Sequence, residues 1–203
     1  MNAHSKIPSD IIGLMTPPPL SRRNFFMTAS AATAAGYTLA AGPVRADAIK
    51  TDTNGLKAGD ATVAWAKSQG GDTNRLGIMG FCRGGRSVWH YSTHNPNLKA
   101  GVAFYGSLID KSDAVPKNSI ELAPEVKEPV LGLYGAEDTG IKVEQVKEME
   151  EKLKAAGKTA EFHIYPGAPH GFNADYRPSY RKEAAEDAWK RMTDWFKKYK
   201  VLS

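Results

Sequence analysis

Short apolar runs without charged residues recur along the C-terminal part of the chain. Three of them, residues 76–81, 100–105 and 129–134, are bounded by turn-forming residues. Runs of this length and composition are typical of strands that are buried on both faces of a parallel sheet. In a fourth segment, 160–165, apolar positions alternate with polar ones, which indicates a strand half-exposed at the rim of the same sheet.

Helical patterns separate these predicted strands. Apolar stripes at helical spacing run through residues 143–156 and 182–199, and shorter helices are expected over 61–68 and 84–94. Strands that alternate with helices predict an α/β fold, with helices on both faces of a parallel sheet. The residues expected to face the core are Val63, Trp65 and Ala66 in the first helix, Val146, Met149, Leu153 and Ala156 in the third, and Ala185, Trp189, Met192, Trp195, Phe196 and Tyr199 in the last.

The composition narrows the class of protein. Of 203 residues, 41% are hydrophobic and 24% are charged, which predicts one soluble globular domain and excludes a disordered or collagen-like chain. Cys82 is the single cysteine. The chain can therefore form no internal disulfide, and zinc sites built on paired cysteines are excluded.

Residues 1–46 have the three-part pattern of an export signal. Arg22 and Arg23, followed by Phe25 and Phe26, precede a mildly apolar stretch and a small-residue end. This pattern resembles the twin-arginine signal of bacteria and predicts a periplasmic or secreted protein. The alternative is an alanine-rich helix with two surface arginines. A stable membrane anchor is disfavoured, because the apolar stretch is too short to span a bilayer.

The excess of basic residues belongs mostly to the predicted signal. Residues 47–59 are expected to form a polar lead-in, and residues 60–203 a partial domain. Without residues 1–46 the formal charge falls from +5 to +2, and no cluster of basic and aromatic residues remains that would indicate nucleic-acid binding. The charged residues removed are Lys6, Asp10, Arg22, Arg23 and Arg45.

A G-F-C-R-G-G motif at residues 80–85 lies between a predicted strand and a predicted helix. This is the context of a nucleophile elbow, in which glycines on either side let the strand and helix backbones pass closely. We expect Cys82 to be the nucleophile, with a thiolate stabilised by the N-terminal amides of the helix. The backbone amide of Arg83 is placed to receive an oxyanion.

An acid and a base follow the elbow in the order that such a site requires. Asp138 lies on the loop after the third predicted strand, and His170 on the loop after the fourth. Carboxyl ends of parallel strands are where α/β sheets gather their sites. Glu137 is an adjacent rival for the acid role.

Each of these residues also has a structural interpretation. Cys82 could be a small buried apolar residue, Asp138 a cap of the next helix, and His170 a loop histidine bonded to the backbone. Other histidines lack a motif and are expected to be structural or exposed. They are His90, His94 and His163.

Three motifs together resemble the dienelactone hydrolase family of α/β hydrolases. They are the G-F-C-R-G-G elbow, L-G-L-Y-G-A-E-D at 131–138 and Y-P-G-A-P-H-G-F at 165–172. The resemblance covers about residues 60–203. It implies a nucleophilic Cys82, a base His170, and an Asp138 that orients the imidazole. The implied reaction cleaves a small ester or lactone through a thioester, without metal or cofactor.

The region before the elbow is shorter than the resemblance leads us to expect. An α/β hydrolase has about four strands before its elbow, whereas residues 47–81 offer room for a helix and the elbow strand. We expect an internally shortened chain of about four strands that lacks the loop supplying the second oxyanion amide. The family's acidic partner of the resting cysteine and its arginine for the substrate carboxylate are also absent; Arg177 is a weak candidate for part of that arginine's role.

The missing strands also affect the expected partners. The elbow strand would expose one edge, through which two chains could associate. The leading hypothesis is a secreted cysteine hydrolase of the dienelactone hydrolase type. The alternative is a non-catalytic or truncated α/β module that associates through the exposed edge.

Overall fold

A four-stranded parallel sheet with the order β1-β2-β3-β4 forms the centre of the part of the chain that the structure describes. The computed structural model describes residues 56–109 and 117–203. The α/β fold class with about four strands is confirmed. The strands are β1 (Gly77–Phe81), β2 (Ala100–Phe104), β3 (Val130–Gly135) and β4 (Ala160–Tyr165). The α-helices of these two ranges are α1 (Leu56–Ser68), α2 (Arg83–His94), α3 (Val143–Ala155) and α4 (Lys182–Lys198), with short 3₁₀ helices at Thr73–Arg75 and Ser119–Glu125.

The N-terminal predictions fall largely outside the described residues. The signal at 1–46 lies there, as does the lead-in up to residue 55. Within the two described ranges, no helix is both long and apolar enough to cross a membrane.

Burial differs between the centre and the edges of this sheet. Every residue of β2 and β3 is buried, as their uncharged sequences predict. Every residue of β1 is only half-buried, although the same kind of sequence predicts full burial. The difference arises because β1 pairs with β2 alone among the described strands and forms one edge of the sheet. Self-association through this edge stays a prediction.

Helices cover both faces of the sheet. A Cβ atom on Gly101 would lie 2.8 Å from Val88 of α2, and one on Gly77 would lie 3.2 Å from Phe196 of α4. Gly101 is paired with Ile78, the neighbour of Gly77, and successive residues of a strand point to opposite faces. α2 and α4 therefore pack on opposite sides. The predicted stripe residues Val146, Met149 and Leu153 of α3, and Ala185, Trp189, Met192, Trp195 and Phe196 of α4, are buried.

Helix α1 begins five residues earlier than predicted and is less buried. It has no buried residue, and Trp65, expected to lie partly against a core, is 38% exposed. Its position depends on contacts with α2: Asp60 accepts a hydrogen bond from the Tyr91 hydroxyl at 3.1 Å and lies 2.7 Å from His94 Nε2. These contacts are distant in sequence, so local pattern does not predict them.

The alternation predicted for β4 fails at its last residue. Tyr165 is buried, although the pattern placed it on the exposed face. Its hydroxyl donates a hydrogen bond to Asp187 of α4 at 2.9 Å, and its ring packs on Phe172 at 5.0 Å between centroids. A tyrosine can be buried when its polar tip finds such a partner.

A buried hydrogen-bond chain joins α2, β3 and the end of β2. The Trp89 indole N–H donates to the Tyr134 hydroxyl at 3.0 Å, and that hydroxyl donates to the Gly106 carbonyl at 3.1 Å. Burial, together with the nearby charge of Asp138, raises the pKa of Tyr134 far above its usual range. The neutral hydroxyl therefore joins three of the elements from which the site described below is built.

Candidate active site

Cys82 occupies a sharp turn between β1 and α2. Its φ of 52° and ψ of −117° are unusual for a residue with a side chain, and such conformations cost about 1–3 kcal/mol. The turn is fixed by a hydrogen bond from Cys82 N–H to the Phe104 carbonyl at 3.1 Å. A Cβ atom on Gly80 would lie 2.3 Å from the Gly84 carbonyl carbon. The strand and helix therefore pass at a distance that only glycine at position 80 permits.

The imidazole of His170 lies between the thiol and a carboxylate. Its Nε2 is 3.1 Å from Cys82 Sγ, and its Nδ1 is 2.7 Å from Asp138 Oδ2. An ionised carboxylate accepts only, so it favours the tautomer that carries the hydrogen on Nδ1. Nε2 is then free to accept the proton of the thiol.

Asp138 is held firmly by its own loop. Its side chain is 1% exposed, and Oδ1 accepts hydrogen bonds from the amides of Gly140 at 2.9 Å and Ile141 at 3.0 Å. Burial acts to raise the pKa of Asp138, but the hydrogen bonds from His170 and these amides outweigh it, and the pKa is lowered. The carboxylate is therefore charged at neutral pH. Asp138, and not the exposed Glu137, contacts the imidazole.

The ionisation of Cys82 differs from the sequence-based expectation. Partial burial raises the pKa of the thiol, and the charge of Asp138 raises it further, while the positive charge of Arg177 acts in the opposite direction. The direction of this shift is opposite to that of the expected thiolate stabilised by the helix, because the cost of burying the charged form exceeds the favourable effects of its surroundings.

Backbone amides at the start of α2 are also positioned near the thiol. Arg83 is the first residue of this helix and lines the same cavity as Cys82. The first amides of a helix have no acceptor within the helix. The Arg83 N–H is thus available to a group that binds beside the sulfur.

A cavity of about 620 Å³ opens over these residues. Arg86 and Tyr105 line the cavity, although neither is among the predicted site residues. Arg177, a predicted site residue, does not line it. The position of Tyr105 directly after β2 was a usable signal, because sites gather at the carboxyl ends of parallel strands. Within the described ranges no group of three or more metal-ligating side chains occurs. The cavity is lined by Cys82, Arg83, Arg86, Tyr105, Ser107, Asp138, Thr139, Gly140, Ile141 and His170.

Comparison with known proteins assigns the family. The model of the dienelactone hydrolase family matches residues 30–200. The chain belongs to the dienelactone hydrolase family. The family resemblance of the three motifs is thereby confirmed. The matched region begins within the predicted signal and includes all four strands.

Several members of this family resemble the chain closely. A candidate carboxymethylenebutenolidase from Methylorubrum extorquens is 57% identical over 144 residues, which are 70% of this chain and 50% of that protein. A candidate carboxymethylenebutenolidase from Escherichia coli K12 is 52% identical over 141 residues, covering 69% of this chain and 52% of that protein. The chain thus spans about half the length of these curated relatives.

Solved structures agree with the fold. The crystal structure of a candidate dienelactone hydrolase from Klebsiella pneumoniae has a TM-score of 0.69 and 50% identity, covering 71% of this chain and 60% of that one. An esterase from Pyrococcus furiosus has a TM-score of 0.60 at 19% identity, covering 73% of this chain and 63% of that one. At that identity the likeness concerns the fold alone.

Proposed function

We propose that the chain is a hydrolase that cleaves a small ester or lactone with Cys82 as nucleophile. The observation that carries this proposal is the line of contacts from the Cys82 thiol through His170 to Asp138. Its distances are 3.1 Å and 2.7 Å, within the range that proton transfer requires. Membership of the dienelactone hydrolase family supports the same reaction class.

In the first step the thiol attacks the substrate carbonyl. The pKa of the Cys82 thiol is raised, so the resting group is neutral and must lose its proton as the C–S bond forms. His170 Nε2 accepts that proton, and the ionised Asp138 stabilises the resulting imidazolium. The carbonyl π electrons move to oxygen, and the amide of Arg83 donates a hydrogen bond to the oxyanion.

In the second step the intermediate collapses and water completes the reaction. The electron pair on oxygen re-forms the carbonyl, the C–O bond to the leaving group breaks, and His170 returns its proton to the departing alkoxide. A lactone would keep this alcohol tethered to the thioester. Water then attacks the thioester with His170 as base, which releases the acid and restores the thiol.

Positive charge near the cavity favours substrates that carry a negative group. Arg83 and Arg86 line the cavity, and the charge of Arg177 acts on the thiol of Cys82. Arg177 does not line the cavity, and we propose that it acts on the substrate only through its charge.

Hydrolysis of p-nitrophenyl acetate tests the proposal. We expect Cys82→Ala and His170→Ala to abolish turnover, and mass spectrometry of the wild type under rapid quench to detect an acetyl group on Cys82. Glu137→Gln, an exposed neighbour of the acid, serves as the matched control and should retain activity. Equal rates for the wild type and Cys82→Ala would overturn the hydrolase proposal and favour the non-catalytic module.

We further propose that residues 1–46 direct export by the twin-arginine route. The support is the Arg22–Arg23 pair before an apolar stretch of weak hydrophobicity. When residues 1–46 are fused to a reporter that is active only in the periplasm, the reporter activity should be lost once both arginines are changed to lysine. Unchanged export of the Lys-Lys fusion would contradict this localisation.

A further inference from the structure

The imidazole of His170 is held at its two nitrogens and is otherwise open to solvent on part of its surface. The side chain is 41% exposed, and its hydrogen-bond distances are to Asp138 Oδ2 and Cys82 Sγ. Contacts at the two nitrogens resist translation of the ring, but they resist tilting about the line between the two partner atoms only weakly. A further contact to the ring is needed to fix its plane, and proton transfer depends strongly on that geometry.

Tyr105 supplies such a contact. Its ring lies 5.0 Å from the imidazole between centroids, with the two planes inclined by 62°. This edge-to-face arrangement is the favoured geometry of aromatic pairs and contributes attraction beyond the area buried. Tyr105 and His170 both line the cavity over the thiol. The contact therefore acts on the ring that takes the proton of Cys82.

The tyrosine is itself fixed from several directions. It is 2% exposed, and its N–H donates to the Leu133 carbonyl at 2.8 Å. Its ring packs on Phe172, two residues after His170, at 5.3 Å, and on Phe81, the residue before the nucleophile, at 6.1 Å. One side chain thus touches the elbow strand and the histidine loop together.

The backbone of Tyr105 is strained. Its φ is 37°, in the left-handed region that bulky residues seldom adopt. The next residue, Gly106, lies so close to α2 that a Cβ atom there would be 2.3 Å from the Gly85 carbonyl carbon. Conformations of this kind persist only where the surrounding structure enforces them, and they cluster at active sites.

We propose that Tyr105 is a positioning residue whose aromatic ring holds the His170 imidazole in the plane that joins Asp138 to Cys82. The role belongs to the ring and not to the hydroxyl group. This positioning role rests on the proposed function, because the plane of the imidazole matters when the ring takes the proton of the thiol.

Paired substitutions separate the ring from the hydroxyl. Tyr105→Phe keeps the ring, and we expect kcat to stay within about threefold of the wild type. Tyr105→Leu removes the ring but keeps a Cβ atom, so the backbone strain is matched. We expect it to lower kcat by about tenfold to a hundredfold with little change in KM, the loss that misalignment of a catalytic group produces. Equal losses in both variants would overturn the proposal.

A second buried aromatic residue controls for general loosening of the core. Phe104 is buried beside Tyr105, and its ring packs on Phe81 and Tyr105 rather than on the imidazole. Phe104→Leu should lower the urea midpoint at least as much as Tyr105→Leu while it retains most of the kcat. If the two leucine variants lose kcat equally, the effect is one of packing and the proposal fails.

Alkylation of the thiol gives a readout that does not need turnover. Cys82 is the single cysteine, so the rate of carbamidomethylation by iodoacetamide reports on this group alone. Between pH 6 and 8 we expect His170→Ala and Tyr105→Leu to slow it, and Tyr105→Phe to leave its pH profile unchanged. A wild type without esterase activity would contradict the proposed function, whereas identical alkylation profiles for wild type and Tyr105→Leu would contradict the positioning role.

Discussion

Asp138→Asn is a substitution that preserves shape and reverses one hydrogen bond. In the structure Oδ1 accepts from the amides of Gly140 and Ile141. If the asparagine oxygen keeps these two bonds, its NH₂ group takes the place of Oδ2, 2.7 Å from Nδ1 of His170. Because NH₂ donates, the imidazole must accept at Nδ1 and carry its hydrogen on Nε2. Nε2 then faces the Cys82 thiol as a donor and cannot accept the proton.

The size of the effect follows from the function that is lost. General-base catalysis contributes about 10²–10⁴-fold, and kcat should fall by that order. The stability should change far less, because a charge-assisted hydrogen bond to the imidazole is exchanged for a neutral one. That exchange costs about 1–2 kcal/mol, while the two amide bonds remain.

Ester hydrolysis and urea unfolding, measured on the same samples, check this reasoning. Glu137→Gln is the matched control, because it neutralises the adjacent exposed carboxylate, which does not contact the imidazole in the structure. Equal activity losses in the two variants would refute the geometric argument. So would an Asp138→Asn variant that retains full kcat.

The same variant should also change the response of stability to acid. The pKa of Asp138 is lowered in the folded protein, so its charged form stabilises the fold above about pH 4, the ordinary range of an aspartate. This contribution is lost as the pH falls through the lowered pKa. The difference in urea midpoint between wild type and Asp138→Asn should therefore shrink from pH 6 to pH 3, and a constant difference would contradict the assignment.

Three further predictions, which use four substitutions, test other parts of the structure. Gly80→Ala should lower the free energy of unfolding by about 1–3 kcal/mol through overpacking. Gly84→Ala should be neutral or slightly stabilising, because a Cβ atom at that position meets nothing within 4 Å. Equal urea midpoints for the two variants would contradict the close approach of strand and helix at the elbow. Tyr134→Phe should cost about 1–3 kcal/mol, because it leaves a buried indole N–H without its acceptor; a wild-type midpoint would show that this bond contributes nothing. Arg177→Gln should raise the pKa of Cys82 further and move the pH profile of iodoacetamide alkylation to higher pH, and an unmoved profile would exclude electrostatic coupling between the two residues.

The sequence predicted those features that depend on local pattern. The uncharged runs at 100–105 and 129–134 became the buried strands β2 and β3 with ends shifted by one residue. Periodicity likewise predicted α3 and α4 within one residue at each end. The motifs around Cys82, Asp138 and His170 predicted where each side chain would stand, because parallel strands bring their carboxyl ends to one edge.

Features that depend on contacts between residues far apart in the sequence were not predicted. Helix α1 begins at Leu56, and its Asp60 bonds to residues of α2, which no local signal reveals. The alternation of β4 did not predict the burial of Tyr165, which depends on Asp187 of α4. The raised pKa of the Cys82 thiol reflects the balance between burial and surrounding charges, which only the assembled site determines.

The identity of chain order and spatial order in the sheet has a consequence for biosynthesis. Each new strand is added beside the one before it, so the sheet can grow in the direction of translation. His170 lies 88 positions after Cys82, and the thiol leaves the ribosome long before its base exists. Until that late segment is synthesised and docked, the Cys82 thiol of the nascent chain has no imidazole beside it.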